Sequence, residues 1–467
     1  MRGTVAGKQE TSADPAPAEA LADPAALLRS RQYLTLVVFA GLIGVPVSAA
    51  IFGFLKLVSL SQGWLFTDIP KALGFHGAPA WWPVFPLALG GLLTALAIQY
   101  LPGNGGHSPA DGFAVHGAPA PRELPGVFLA ALATLAFGVA LGPEAPSIAL
   151  GGGLAVLAIR LARRSTPEQA RTVIAAAGSF AAVSTLLGSP LIGAFLLMEA
   201  SGLGGATLGI VLLPGLLAAG VGALMFTGLG TWTGFGTFSL SIPQLPHFAR
   251  PDAADVGWAL AIGVAAGLLG TGIRQLGLYL RPYAERRLVI GLPAAGLVVA
   301  GLAVAYAEGS GKGTSEVLFS GQTAVGPLVD HAASYTVAVL LLLLACKGLA
   351  FGVSLSGFRG GPVFPALFIG AAGGILFSHL PGLSLVPGVA MGIGAMCAAM
   401  LRLPLTSVML ATLLLFSDGL AVIPVVIVAV VVAHLVAAKL TPRSSPPPEG
   451  GAGHSGSGHR MIQPAGR

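Results

Sequence analysis

A short element made of glycine, two prolines and a following apolar run occurs twice in this chain, and it limits the available folds more than any other feature. The first copy is Gly142-Pro143-Glu144-Ala145-Pro146-Ser147, followed by the glycine-rich run Ile148 to Ile159. The second is Gly360-Gly361-Pro362-Val363-Phe364-Pro365-Ala366-Leu367, followed by Phe368 to Phe377. Setting Pro146 on Pro365 places Gly142 on Gly361, Pro143 on Pro362 and Gly151 on Gly370, and only the Glu144 carboxylate lacks a counterpart. A second pair of anchors follows in the same order, Ser189-Pro190-Leu191 and Leu403-Pro404-Leu405, with Gly178 and Gly392 each twelve residues before the proline. Matched anchors in matched order predict an internal duplication. Interrupted apolar segments at corresponding positions of two halves point to a transporter site near the bilayer midplane.

Proline fits the first turn of a helix, where its missing N–H costs nothing, so Pro146 is expected to open a helix whose free N–H groups face back toward Glu144. Such a start stabilises negative charge through unpaired donors and the helix dipole, and the attraction is screened less away from water. The anion there is either the Glu144 carboxylate or a small ion that displaces it.

Apolar residues make up 54% of the chain and charged residues 9%, which excludes an ordinary soluble domain and predicts an all-α polytopic membrane protein. The net charge of +6 is spread as arginines beside apolar runs, so it reads as a topology signal and no nucleic-acid partner is expected. Basic clusters near residues 30, 163, 284 and 440 would all be cytoplasmic, which puts both termini inside an integral membrane protein of the cell membrane. Cys346 and Cys397 both lie in apolar segments and read as buried free thiols.

The expected organisation is a disordered cytoplasmic tail over 1–28, a first membrane repeat over 29–229, a Gly/Pro-rich linker over 230–256, a second repeat over 257–440 and a disordered tail over 441–467. His454 and His459 lie in that last tail, and no metal or cofactor is expected. Apolar runs are read at 33–60, 83–101, 124–141, 205–229, 288–306, 336–356, 361–379, 385–400, 404–416 and 419–439. A helical hairpin over 172–199 breaks at Gly188-Ser189-Pro190, and a polar turn is read at 281–287. Trp81 and Trp82 suit an interfacial anchor. Residues 102–112 cannot be regular helix, and Ser108-Pro109 would start a short one. Several runs fall short of a full span, so tilted, re-entrant or broken helices are expected, and the 68 glycines suit close helix packing.

Gly142-Pro-Glu-Ala-Pro resembles the GREGP motif of the CLC chloride channels and chloride/proton antiporters. Gly361-Pro-Val-Phe-Pro, after Ser356-Gly-Phe-Arg-Gly, resembles the GxFxP motif, although the aromatic two residues before the proline is here Val363. Gly105 to Gly112 resembles, more loosely, the GSGIP segment. The resemblance covers about Arg29 to Leu440 and implies an inverted repeat of tilted, broken helices in a homodimer embedded in membrane lipid. Each subunit would carry its own path for chloride or a similar small anion. It also implies anion contacts at Gly142, Pro143, Ala145, Pro146, Ser147, Gly361, Val363 and Phe364, with Glu144 as the gating carboxylate displaced by protons or by chloride.

Three departures from the family pattern bear on function. Aligning Pro109 with the family's proline puts Gly106 where the anion-binding serine belongs, whereas a one-residue gap lets Ser108 serve. Glu199 falls one residue before the inner proton site of the antiporters, on which Ala200 stands, and neighbouring helix positions point about 100° apart. Leu440 to Ser445 contains no tyrosine. These departures favour a passive or weakly proton-coupled anion permease over a chloride or fluoride/proton antiporter. Lys347 either adds positive potential near the path or snorkels, Asp418 reads as a cap or loop residue, and His107 as a solvated loop residue. No grouping suits an enzyme acting on lipid or phosphate, while an anion sensor or scaffold of the same fold would tolerate the missing residues.

Overall fold

The structure, a computed structural model, describes residues 30–113, 117–162, 166–202, 205–234, 248, 250–415 and 419–441. Both expected disordered tails (apart from Thr441), most of the expected linker, Arg163, Arg164 and Asp418 lie outside the described residues.

Among the described residues, fourteen principal helices fall into two runs of seven. The first comprises α1 (Arg31–Gly63), α2 (Val84–Tyr100), α3 (Leu124–Ala136), α4 (Glu144–Leu161), α5 (Glu168–Leu187), α6 (Pro190–Ser201) and α7 (Gly205–Trp232). The second comprises α8 (Ala253–Arg286), α9 (Leu288–Ser310), α10 (Val337–Leu355), α11 (Val363–Ser378), α12 (Leu385–Leu401), α13 (Pro404–Leu414) and α14 (Gly419–Leu440). Each helix packs as its counterpart seven places on does: α4 on α5 as α11 on α12, α5 on α7 as α12 on α14, α1 on α7 as α8 on α14, and α2 on α3 as α9 on α10. Counterparts also pack on each other across the boundary between the runs, α2 on α9 and α6 on α13.

The glycines explain how the duplicated crossings close. A Cβ at Gly151 would lie 2.6 Å from the Gly178 carbonyl, and one at the counterpart Gly370 would lie 2.5 Å from that of Gly392. Only glycine admits the backbones of α4 and α5, and of α11 and α12, so close together.

Among the described residues eight helices are long and apolar enough to cross a membrane. With its continuation to Ala72, α1 runs for 42 residues, about 63 Å at 1.5 Å per residue. That is roughly twice the ~30 Å hydrocarbon core, so it must tilt or project beyond it. At the other extreme α6 has 12 residues and α13 has 11, too few to span. Chain that stops inside the bilayer must hide its free peptide groups in protein. Accordingly, every residue from Ala350 to Ala372 is buried, including the irregular backbone between α10 and α11.

Local signals account for many boundaries. Gly188 takes the left-handed conformation at φ 65°, Ser189 accepts the Ile192 N–H, and Pro190 occupies the first turn, so the 172–199 hairpin breaks where expected. A 3₁₀ turn, Pro109–Asp111, follows Ser108. Trp82 is buried and donates to the Leu65 carbonyl at 2.9 Å, while Trp81 stays 47% exposed. Cys346 and Cys397 are both buried and free.

Other expectations are corrected. The turn read at 281–287 narrows to its last residue, Arg287: α8 runs through Pro282 to Arg286, tied by Arg281 to Glu285 at 2.9 Å and to Asp111 on the 102–112 loop, and α9 starts at Leu288. The expected linker over 230–256 overlaps helix at both ends, since α7 reaches Trp232 and α8 starts at Ala253 under a cap from Asp252. Helix α4 opens at Glu144 with Pro143 as its N-cap, two residues before Pro146. Pro146 still fits, because a third-position residue has no helical acceptor for an N–H.

Candidate anion site

The two proline-bounded elements meet at their own glycines. Gly142 donates to the Gly361 carbonyl at 2.8 Å and Gly361 donates back to that of Gly142 at 2.6 Å. These two residues are counterparts in the duplication, so this reciprocal pair marks the local two-fold relation between the halves. It also holds the first turns of α4 and α11 facing each other.

Four peptide N–H groups serve this junction: those of Glu144 and Ala145 on α4, and of Val363 and Phe364 on α11. All stand in first turns, where no helical carbonyl is available. Pro146 and Pro365 carry no N–H, while Ser147 and Ala366 already bond the Pro143 and Pro362 carbonyls at 2.9 and 3.1 Å. The free donors are thereby confined to the two leading residues of each helix. Pro143 and Pro362 are N-caps and shape the turn without donating.

The Glu144 side chain lies in this cradle, fully buried. Its Oε1 accepts the Phe364 N–H of the opposite half at 2.7 Å, with the Val363 and Glu144 N–H groups also directed at the carboxylate. A Cβ on either Gly142 or Gly361 would overlap the carboxylate oxygens, so the space is shaped to a small anionic group and admits no side chain on its walls. Val363, standing where the family has an aromatic, and Phe364 are both completely buried.

Six buried side-chain polar atoms make no hydrogen bond to a described residue, and three of them belong to residues singled out above: Ser108 Oγ, Glu144 Oε2 and Ser147 Oγ. Buried polar groups in folded proteins are almost always satisfied, so each of these atoms marks a point of unmet hydrogen-bonding capacity. Gly106 differs from Ser108. At φ 90° its N–H is committed to the Gly103 carbonyl at 2.8 Å, whereas the Ser108 hydroxyl is buried and uncommitted. The loop bearing Ser108 is held at both ends by arginines: Arg359 donates to the Asn104 carbonyl at 3.2 Å through both Nε and Nη2, and Arg281 pairs with Asp111. His107, half-exposed, stands 3.9 Å from Asp111.

Glu199 lies elsewhere. Its carboxylate accepts the N–H groups of Leu405 and Thr406 at 3.0 and 2.7 Å and the Thr406 hydroxyl at 2.7 Å, capping the start of α13. The duplication explains why. Its counterpart helix α6 is capped by its own Ser189, but Leu403 stands at the corresponding position before α13 and has no side-chain acceptor. Replacing Glu199 with Ala should therefore destabilise the protein by about 1 kcal/mol, and Leu403→Ser should recover part of that loss. Thermal unfolding of the two variants checks both.

Lys347 does not snorkel. It is completely buried, and its ammonium donates to the carbonyls of Val317, Leu318 and Phe319 at 3.0, 2.8 and 2.9 Å, with the Phe368 ring 5.1 Å away. Three acceptors use all three of its donors. It thereby fixes a loop lining a vestibule of about 840 Å³ that reaches Leu141 and Pro143, at the threshold of Glu144. Sequence reasoning did not find this loop or its Glu316, which accepts from Tyr306 and from Tyr335 at 2.9 Å. Burial and the Glu316 carboxylate both push the Tyr335 hydroxyl above its ordinary pKa.

The fold and this junction define a class, integral membrane proteins built as two helical repeats with paired helix starts buried at their interface. The family model described as voltage gated chloride channel matches residues 90–438, and the chain belongs to that family. It is 31% identical over 356 residues to the "Putative ion-transport protein YfeO" of Salmonella paratyphi A, covering 74% of this chain and 81% of that protein. To the protein of the same name from Escherichia coli O7:K1 it is 29% identical over 361 residues, covering 76% and 81%. The fold is similar to that of a slow cyanobacterial Cl⁻/H⁺ antiporter, with a TM-score of 0.71, 19% identity and coverage of 87% and 94%. It is also similar to a CLC-type fluoride/proton antiporter, with a TM-score of 0.65, 20% identity and coverage of 86% and 95%.

Proposed function

We propose that this chain is a permease for chloride or a similar small anion, passive or weakly coupled to protons, in which Glu144 gates the path by occupying the anion's own position. The observation that carries this reading is the Glu144 carboxylate bonded across the repeat interface to the Phe364 N–H. A group of peptide donors that receives a tethered carboxylate can receive a free monovalent anion instead, and the two compete. Membership of an anion-transporting family and the unsatisfied hydroxyls of Ser108 and Ser147 support the same reading. Both repeats, 29–229 and 257–440, contribute one wall of the site. A homodimer with one path per subunit, and cytoplasmic termini, follow from family resemblance and the charge rule.

A second reading, proton-coupled exchange of chloride or fluoride, is favoured by the likeness to two antiporters. Against it stand Ala200 at the inner proton position and the engagement of Glu199 as a helix cap. Both are tested in liposomes loaded with chloride or fluoride, recording anion efflux and proton movement together. The expected result is anion efflux well above empty vesicles with little accompanying proton movement. Stoichiometric proton uptake would establish the second reading, and no flux of any small anion would refute both.

A further inference from the structure

The backbone from Gly103 to Gly106 takes positive φ at four residues in a row, 85°, 50°, 69° and 90°, and Asn104 is the one non-glycine among them. A run of this kind has no regular hydrogen-bond ladder, and such backbone persists where its surroundings over-determine it. Here much of the holding comes from one residue of the opposite half. Arg359 donates to the Asn104 carbonyl through Nε and Nη2, both at 3.2 Å, and to the Gly357 and Phe358 carbonyls through Nη1 at 2.9 and 3.4 Å. Its own peptide N–H donates to the Thr134 hydroxyl of α3 at 3.2 Å, and that hydroxyl lies 3.2 Å from the Thr94 hydroxyl of α2. Arg359 and both threonines are buried.

None of these contacts belongs to the gating cradle, yet they join the two parts proposed to hold the anion. Two residues on from Arg359, Gly361 exchanges hydrogen bonds with Gly142 and walls the Glu144 carboxylate. Four residues on from Asn104 stands Ser108, whose buried hydroxyl has no partner among the described residues. The Arg359 guanidinium is a rigid plane with its donors in a fixed fork. All its acceptors are backbone carbonyls from the two halves, so the fork fixes one segment against the other. A site whose contact groups are held at a set separation discriminates between ions, and one whose contacts can shift adapts to the wrong ion. We propose that Arg359 is a positioning residue that sets the separation between Ser108 and the Glu144 cradle, and thereby how sharply the path distinguishes chloride from a larger monovalent anion such as nitrate. This inference rests on the permease reading above and assigns the origin of that site's selectivity.

The test compares Arg359→Lys and Arg359→Met with the wild type, as full-length protein in liposomes, by chloride and nitrate efflux at one ionic strength. Lysine keeps the charge but presents its donors from a single point, so it cannot reproduce the fork, whereas methionine removes charge and fork together. Thermal unfolding shows that each variant is folded. A misplacement of about an ångström can cost about 100-fold in rate, so a loosening of a fraction of that should change the nitrate-to-chloride efflux ratio about five-fold in both variants. Amide exchange at Gly106, whose N–H is bonded to the Gly103 carbonyl, should rise about ten-fold in both, with α4 and α11 unaffected. A ratio that changes in Arg359→Met and stays at the wild-type value in Arg359→Lys assigns the effect to charge and overturns the proposal. Wild-type ratios in both folded variants, with wild-type efflux intact, overturn it too and leave the permease reading standing. Should Arg359→Met fail to fold, the ratio in Arg359→Lys decides alone. If the wild type passes neither anion, the permease reading fails, and calorimetry decides the positioning role: a changed ratio of nitrate to chloride affinity in Arg359→Lys upholds it, and an unchanged ratio refutes it.

Discussion

Gly361→Ala should abolish anion transport while leaving the protein in the membrane. Gly361 lies where the two halves cross, its peptide exchanging both hydrogen bonds with Gly142, and a methyl group on it would overlap Glu144 Oε2. Neither wall can retreat: the N–H groups directed at the carboxylate belong to helix starts, and every residue from Ala350 to Ala372 is enclosed by protein. The carboxylate, and any anion that replaces it, must therefore give way. Displacing a bound group by an ångström from its positioned contacts can lower a rate about 100-fold, and a loss of that order is expected in liposome efflux. Gly142→Ala, on the mirrored wall, should behave alike, because its Cβ meets both carboxylate oxygens. Alanine at Gly373, where a Cβ meets nothing within 4 Å, is the control and should transport normally.

How much of this was legible in the sequence follows from where each determinant resides. The break between α5 and α6 was readable because Gly188, Ser189 and Pro190 act on their own backbone. The duplication was readable because the same local devices recur at Gly361 to Pro365 and at Pro404. The Gly151–Gly178 and Gly370–Gly392 crossings surfaced as spacing coincidences, and they prove to be equivalent close approaches. Across-chain partners were beyond reach. Glu144 was expected to face the start of its own helix, and it also reaches the opposite half at Phe364. The cap that Glu199 provides depends on what Leu403 fails to provide. A polar, proline-containing stretch at 281–287 looked like a turn, yet Arg281 there ties α8 to Asp111, 170 residues away in the chain. Lys347 could not be resolved between two readings, because its acceptors are backbone carbonyls that no residue pattern announces. Nor could a residue pattern show that the Gly106 N–H is bonded to Gly103 while the Ser108 hydroxyl is not.

The second large effect concerns Glu144 itself. Under the proposed gating its carboxylate and a chloride ion compete for the same N–H groups, so in the wild type an anion has first to displace the side chain. Removing the side chain removes the competitor while leaving the backbone donors of residue 144, Val363 and Phe364, which then lose their carboxylate acceptor in a buried site. Unmet buried donors cost about 1–3 kcal/mol, a penalty that an incoming anion relieves. Glu144→Ala should therefore bind chloride about ten-fold more tightly than the wild type, each 1.4 kcal/mol corresponding to one decade. On the same proposal, its transport should also lose the part of the wild type's pH dependence that comes from Glu144.

Calorimetric titration of chloride into detergent-purified wild type and Glu144→Ala, at one pH and ionic strength, tests the competition most directly. Tighter binding in Glu144→Ala, with one additional chloride per chain or a lower dissociation constant at the same stoichiometry, is the predicted result. Equal affinity and stoichiometry in the two proteins would mean that carboxylate and anion do not share the cradle, and would contradict the account.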